Sequence, residues 1–335
     1  MQSLLDPAIL FFLLGAFAGL VRSNLEIPPA VSRFLSLYLL MALGLKGGFA
    51  LAHSGFGGEV LRVIGCALLL AVLIPLVGFN LLKRFTSAFN AAALAATYGS
   101  VSAVTFITAV QYADKQGIAY GGHMAAVMAL MESPAILMAV LFANHLRGTV
   151  QVQVGVTSGG GIVLGGQEGG GRSSLGKILH ESFTDGAQLL LLGAMAVGLL
   201  TGEAGKLAMK TFSGDLFKGM LAFFLLDMGL MAARNLPKPG SCSPWILAYA
   251  VLGPIAHAAA ALGLAWVCRL TPGDGGLLMV LAASGSYIAV PAVLRYAIPE
   301  AVPSLYFGMA LGITFPINLM IGIPFYMQVA KAVLG

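Results

Sequence analysis

Charge is what this chain has least of. Asp, Glu, Lys and Arg together make up 9% of its 335 residues, while 59% are hydrophobic. Soluble domains carry about a quarter charged residues, so this scarcity excludes a chain built to face water. Cysteine is scarce too. Cys66, Cys242 and Cys268 show no metal-ligand spacing, and Cys66 and Cys268 sit in apolar runs where a thiol behaves as a small hydrophobe. The basic residues give a net charge of +5 but are spread through short loops, which argues against a nucleic-acid partner. No basic segment and no small-residue cleavage site precedes the first apolar run, so a spanning helix is expected there rather than a cleaved signal.

What the chain has in plenty is apolar sequence and glycine. Runs of roughly 20 apolar residues recur, each long enough to cross a bilayer as a helix. They predict an all-α polytopic membrane protein with ten spans. The first five cover 7–22, 30–52, 60–82, 91–112 and 120–145; the second five cover 184–201, 216–234, 244–268, 275–296 and 304–330. This divides the chain into a first repeat (1–146), a glycine-rich linker (147–182) and a second repeat (183–335). The linker holds "TSGGGIVLGGQEGGGRSSLGK", but Gly176-Lys177 is followed by Ile178. A phosphate-binding loop requires Ser or Thr there, between a strand and a helix. A flexible connection is the reading, with room for a partner to dock.

The two halves repeat one another. "YGSVSAVTF" (98–106) aligns with "SGSYIAVPA" (284–292), sharing Gly99/Gly285, Ser100/Ser286, Ala103/Ala289 and Val104/Val290 at an offset of 186. "LLGAFAGL" (13–20) echoes "LLGAMAVGL" (191–199), "ALGLKGG" (42–48) echoes "DMGLMAA" (227–233), and "PAILM" (134–138) echoes "PINLM" (316–320). Five spans per half is an odd number, so the second half enters the membrane from the opposite side. That predicts an inverted-topology repeat, an architecture of many secondary transporters. Loops after the odd-numbered spans hold ten Lys and Arg (Arg22, Arg33, Lys83, Arg84, Arg147, Arg172, Lys177, Arg234, Lys238, Arg295) against seven on the other side. The positive-inside rule then puts the linker in the cytoplasm and both termini outside a bacterial inner membrane.

Spans four and nine are too polar for plain membrane helices. Span four carries Ser100, Ser102, Thr105 and Thr108 after Gly99; span nine carries Ser284, Gly285, Ser286 and Tyr287 before Pro291. Proline removes a donor and frees carbonyls of the preceding turn, and such backbone is tolerated at membrane depth only beside protein or a polar cavity. Both spans are therefore predicted to be discontinuous. Half-helix N-termini and hydroxyls suit a small oxyanion, since they donate hydrogen bonds without adding a full charge. Taken singly, each segment reads equally well as small-residue helix packing; the repetition favours a binding site. Glu132, two residues before Pro134, costs about 3 kcal/mol at the bilayer centre. It reads as a coupling-ion group, sodium or a titrating proton, with a structural carboxylate as the alternative. Lys46 and Asp227 are charges set inside the repeat-related spans two and seven and are read as a structural charge pair. His123 and His257 stand alone and read as packing residues; Tyr98 and Tyr287 either line a cavity or pack.

These residues resemble the sodium-dependent bicarbonate transporter family known from cyanobacteria. "GSVSAVT", "MESPA" and "SGSYIAVPAVLRYAIP" carry the resemblance through Ser102, Thr105, Glu132, Ser284, Ser286, Pro291, Leu294, Arg295, Ile298 and Pro299. The resemblance implies a mobile core of spans three to five and eight to ten moving against a scaffold of the other four, in a homotrimer. It implies that Ser102, Thr105 and Ser286 hold the anion, that Glu132 and Ser284 serve sodium, and that a PII-like protein binds from the cytoplasm. The chain departs from the family pattern at Tyr287, where the family has an aspartate, and at Gly285, Ala289 and Val104, where it has serines. The site is thereby less polar and bulkier, open to another anion.

The expected function is sodium-coupled uptake of a small anion, bicarbonate first, by alternating access, with Gly99, Ser100, Ser102, Thr105, Gly285, Ser286 and Tyr287 around the substrate. No catalytic residue, cofactor or metal beyond sodium is expected. The alternatives are an organic-anion carrier, a proton-coupled one included, or a non-transporting sensor that docks a regulator on 147–181. An intramembrane hydrolase acting through Ser286 is disfavoured, because His123 and His257 lie in other spans without a nucleophile–base arrangement.

Overall fold

A computed structural model describes residues 6–54, 57–153, 186–236, 243–287, 290–291, 294 and 298–335, and the described residues are helical with no strand. In chain order the helices are α1 (Pro7–Leu20), α2 (Pro29–Ser54), α3 (Gly58–Leu82), α4 (Ala88–Gly99), α5 (Ala103–Gln116) and α6 (Met124–Gln153). There follow α7 (Gly186–Ala208), α8 (Leu216–Arg234, entered through a π turn at Thr211–Asp215), α9 (Pro244–Val267) and α10 (Pro272–Ala282). The last, α11, runs Pro303–Leu334 through π-helical stretches at Gly308–Thr314 and Asn318–Gly322.

The starts and stops follow local chemistry. Asp6 caps α1 by accepting from Ala8 N, with Pro7 at the first helical position. Thr271 and Pro272 open α10 in the same way. Proline has no N–H to strand at a helix start and arrives with helical φ. α5 ends at Gly117, whose φ of 64° lies in the left-handed region that glycine occupies without cost.

Among the described residues, seven helical stretches are long and apolar enough to cross a membrane, with α4 and α5 counted as one; α1 and 124–139 are shorter apolar helices, and span nine is split after α10. Leu61, Val77, Leu200, Leu207, Trp245 and Trp266 turn outward, a surface that lipid covers and water would not. This is a multi-pass helical membrane protein. α6 continues to Gln153, beyond the expected start of the linker at 147. The rest of the linker lies outside the described residues, as do Cys242, Lys238, Ala289 and Arg295.

The helices sort into two bundles. α1 packs along α8, and α2 along α7, with α2 also touching α8; α3, α4 and α6 pack together, as do α9, α10 and α11, with α5 against α10. Contacts between the two groups are few. The first bundle is held by close backbone approach. A Cβ on Gly44 would meet the Leu191 carbonyl oxygen at 2.4 Å and Ala194 Cβ at 2.9 Å; one on Gly229 would meet the Phe12 oxygen at 2.1 Å and Ala16 N at 2.8 Å. Gly44 and Gly229 occupy matching places in the two halves, and so do Ala194 and Ala16. Without a hydrophobic drive between helices in lipid, small residues at the contact supply the association.

Candidate functional site

Both polar segments interrupt their helices, and the interruptions touch. α4 ends at Gly99; Ser100 and Ser102 are extended (φ −95° and −105°), and α5 begins at Ala103. α10 ends at Ala282, with Ser284–Ser286 non-helical and helix resuming at Val290. The Ser286 N–H donates to the Thr97 carbonyl (2.9 Å), and the Ser102 N–H donates to Ser284 Oγ (2.9 Å). Backbone left unpaired by one break is thus satisfied by the other, as burial requires.

The hydroxyls divide by role. Ser102 Oγ caps α5, accepting from Thr105 N (3.2 Å) and Thr105 Oγ1 (2.9 Å). Ser284 Oγ donates to the Leu281 carbonyl (2.8 Å) while accepting from Ser102. Thr108 Oγ1 donates to the Val104 carbonyl (2.9 Å). These side chains build the crossing. Ser286 Oγ accepts from Val290 N (3.2 Å), which leaves its own proton to offer. Among the described residues, Ser100 Oγ and Thr97 Oγ1 are buried without a hydrogen-bond partner, and the Tyr287 hydroxyl, also buried, stands against the Ser102 side chain. An unpaired buried hydroxyl costs on the order of 1–3 kcal/mol, so the crossing holds polar capacity that the described residues do not use. The N-terminus of α5, with its partial positive charge, opens onto the same break.

The glycines differ. A Cβ on Gly99 would meet Pro75 of α3 at 2.7 Å, so glycine is required there by packing; one on Gly285 would make only ordinary contacts, 3.4 Å to Ala310 and 3.5 Å to Tyr98. The Tyr287 ring packs edge-on to Phe315 (5.3 Å), which packs on Phe12 of α1 (5.4 Å). Tyr98 donates to Thr314 (2.6 Å), which donates to the Ala250 carbonyl (2.6 Å), tying α4, α11 and α9 behind the crossing. Asn318, which sequence reasoning missed, donates from Nδ2 to the Ala283 carbonyl (2.7 Å), with its Oδ1 buried and unpaired among the described residues. A lone amide in an apolar run is the signal that could have found it. Glu132 is half-buried on α6 and engaged by a neighbour.

The Lys46–Asp227 pair does not form. Lys46 Nζ reaches Asp114 of α5 (3.5 Å) and lies over the Phe217 ring (4.4 Å), while Asp227 accepts from Ser32. Antiparallel packing of α2 and α8 sets Asp227 beside Ser32 and Phe217 beside Lys46, about 21 Å apart along α2. His123 is not alone either: its Nε2 lies 3.3 Å from Asp274 Oδ2, and Asp274 Oδ1 accepts from Gly121 N (2.7 Å). Both side chains are buried, in a joint between the starts of α6 and α10. Their separation of 151 positions hid that partnership from any local pattern.

A charged cleft of about 660 Å³ opens between α1, α5 and α8, lined by Asp6, Lys46, Asp114, Lys115, Asp215 and Lys218. A narrower cavity continues beside it to Thr108, which stands about 9 Å along α5 from the Ser102 cap. A family model described as the Na+-dependent bicarbonate transporter superfamily matches residues 7–331. No curated protein matches the chain.

Proposed function

The chain belongs to the Na+-dependent bicarbonate transporter superfamily, and from that premise we propose that it is a secondary transporter that takes up bicarbonate with sodium by alternating access. The observation that carries this reading is the set of buried, unpartnered hydroxyls at the crossing of two interrupted helices. Ser100, Ser286 and Tyr287 donate to the anion's oxygens, and the α5 N-terminus adds its partial charge. Neutral donors hold an anion without a fixed counter-charge that would slow its release. Ser102, Thr105 and Ser284 set the frame in which those donors stand. Glu132 serves the coupling ion from α6. The tyrosine ring narrows the site and, by its phenol, replaces a carboxylate with a neutral donor.

The repeat suggests how the site is exposed to each side in turn. The matching contacts of Gly44 and Gly229 support five-plus-five helices related by an inverted repeat, with α1, α2, α7 and α8 as scaffold. The remaining helices form the moving body that carries the crossing. The charged cleft is the approach from the face where both termini lie, outside a bacterial inner membrane. A homotrimer built on the scaffold, and a PII-like protein docking at 147–182, complete the proposal.

The test is uptake of labelled bicarbonate by proteoliposomes holding the purified chain, with an inward sodium gradient, without one, and with potassium in place of sodium. Accumulation only with the sodium gradient is the expected outcome. Uptake that is indifferent to sodium removes the coupling, and no uptake of bicarbonate beside uptake of an organic acid removes the substrate.

A further inference from the structure

An apolar groove of about 420 Å³ runs down the outer face of the second bundle between α3 and α9. Val77, Gly78 and Leu81 form one wall, and Leu252, Gly253 and Ala256 the other. At one mouth Phe85 and Trp245 stack with ring centroids 5.6 Å apart, in the manner of the aromatic belt at a membrane surface. Lys83 and Arg84, both exposed, stand beside that mouth; Lys83 Nζ is positioned by Asn80 Oδ1 (2.7 Å) and the Phe79 ring (5.5 Å). A groove shaped for hydrocarbon therefore leads to two cations at the level of the headgroups. Basic sites between membrane helices recognise anionic headgroups.

The back of the groove abuts the transport machinery. Tyr249, on its inner wall, packs against Tyr98 (5.3 Å), the residue before Gly99 at the first break. His257 faces the backbone of Ala282, the last residue of α10 before the second break, and shares a 3.4 Å contact with the Tyr249 hydroxyl. One groove thus touches both interrupted helices from the lipid side.

We propose that this groove binds one acyl chain of an anionic phospholipid from the surrounding bilayer, with the lipid phosphate held by Lys83 and Arg84. The occupied groove buttresses Tyr249 and His257, and through them the ends of α4 and α10. The claim goes beyond the transport reading and its test does not depend on it.

The full chain, purified in detergent, is titrated with phosphatidylglycerol and with phosphatidylcholine carrying the same oleoyl tails, and retention is read by native mass spectrometry. The first phosphatidylglycerol is expected to bind about thirtyfold more tightly than the first phosphatidylcholine, as two basic contacts imply. Lys83→Ser with Arg84→Ser erases that difference. Ala256→Trp fills the groove from an exposed position and weakens retention of both lipids. A phosphatidylglycerol with a photoreactive tail crosslinks within 77–85 of α3 and its end or 245–257 of α9. Equal retention of the two lipids by the unaltered chain overturns the proposal, as does unchanged retention in Ala256→Trp or crosslinking confined to residues outside these two stretches. Should Ala256→Trp not purify as a folded protein, the crosslink position in the unaltered chain decides the matter.

Discussion

At the scale of single residues, two neighbouring serines make opposite predictions. Ser284 joins the breaks, accepting from the buried Ser102 N–H. Ser284→Ala strands that donor and should destabilise the protein by about 1–3 kcal/mol, read as a lowered melting temperature in detergent. Ser100 Oγ has no partner among the described residues, so Ser100→Ala should leave the melting temperature unchanged or raise it. Its uptake should nevertheless fall about tenfold or more, as expected for a hydrogen bond to a charged ligand. Full uptake by Ser100→Ala would remove that serine from the site. The serines were visible in the sequence as polar outliers. Their division into builders and free donors was not, because a hydroxyl's role depends on which distant backbone group it meets.

At the scale of helices, glycine is where sequence and packing must be read together. Gly44 and Gly193 both lie inside apolar helices and look alike in the sequence. A Cβ on Gly44 would strike the Leu191 carbonyl oxygen at 2.4 Å, whereas one on Gly193 would meet nothing within 4 Å among the described residues. Gly44→Ala should force α2 off α7 and cost about 1–3 kcal/mol. Gly193→Ala should gain up to about 1 kcal/mol of helix propensity. Melting of the two variants side by side checks both signs; equal behaviour would mean that α2 and α7 do not meet as described. The breaks themselves were legible from Gly99, the serine runs and Pro291. The pairing of Gly44 with Leu191 was not, because nothing local distinguishes a glycine at a contact from one facing lipid.

At the scale of the whole molecule, the proposed alternating access requires the two bundles to move past one another, and two ion pairs tie them. Lys46 of α2 reaches Asp114 of α5 (3.5 Å), and Lys115 of α5 reaches Asp6 at the head of α1 (3.1 Å). Both ion pairs cross between bundles at the charged cleft, so relative sliding must part them. Replacing Asp6→Cys together with Lys115→Cys and joining the thiols with a short, reducible crosslinker should abolish uptake, and reduction should restore it. Uptake that survives the crosslink rules out motion between these bundles. Within the second bundle, Arg147 binds Glu300 through two hydrogen bonds (3.0 and 2.9 Å). Those bonds hold the Glu300 carboxyl below its ordinary range, against the opposing effect of partial burial. Its contribution is therefore complete above the ordinary glutamate pKa of about 4.3 and drains away as pH falls through the lower folded value. Because the pair is 40% and 39% exposed, the effect is small. Glu300→Gln should lower the melting temperature slightly at pH 7 and flatten its decline below pH 4.

Composition and local pattern alone determined the class of this protein, the positions of its apolar helices, the two interrupted spans and the resemblance between its halves. Each of these depends on properties that neighbouring residues share, such as hydropathy over about 20 positions or a proline within a helical run. Tertiary structure decided the partners. It took Lys46 from Asp227 and gave it to Asp114, supplied His123 with Asp274, and left Ser100 unpaired among the described residues where Ser102 and Ser284 are satisfied. Those outcomes depend on which helix faces come together across more than a hundred residues, and hydrogen bonds of 3 Å are settled only when the two breaks meet.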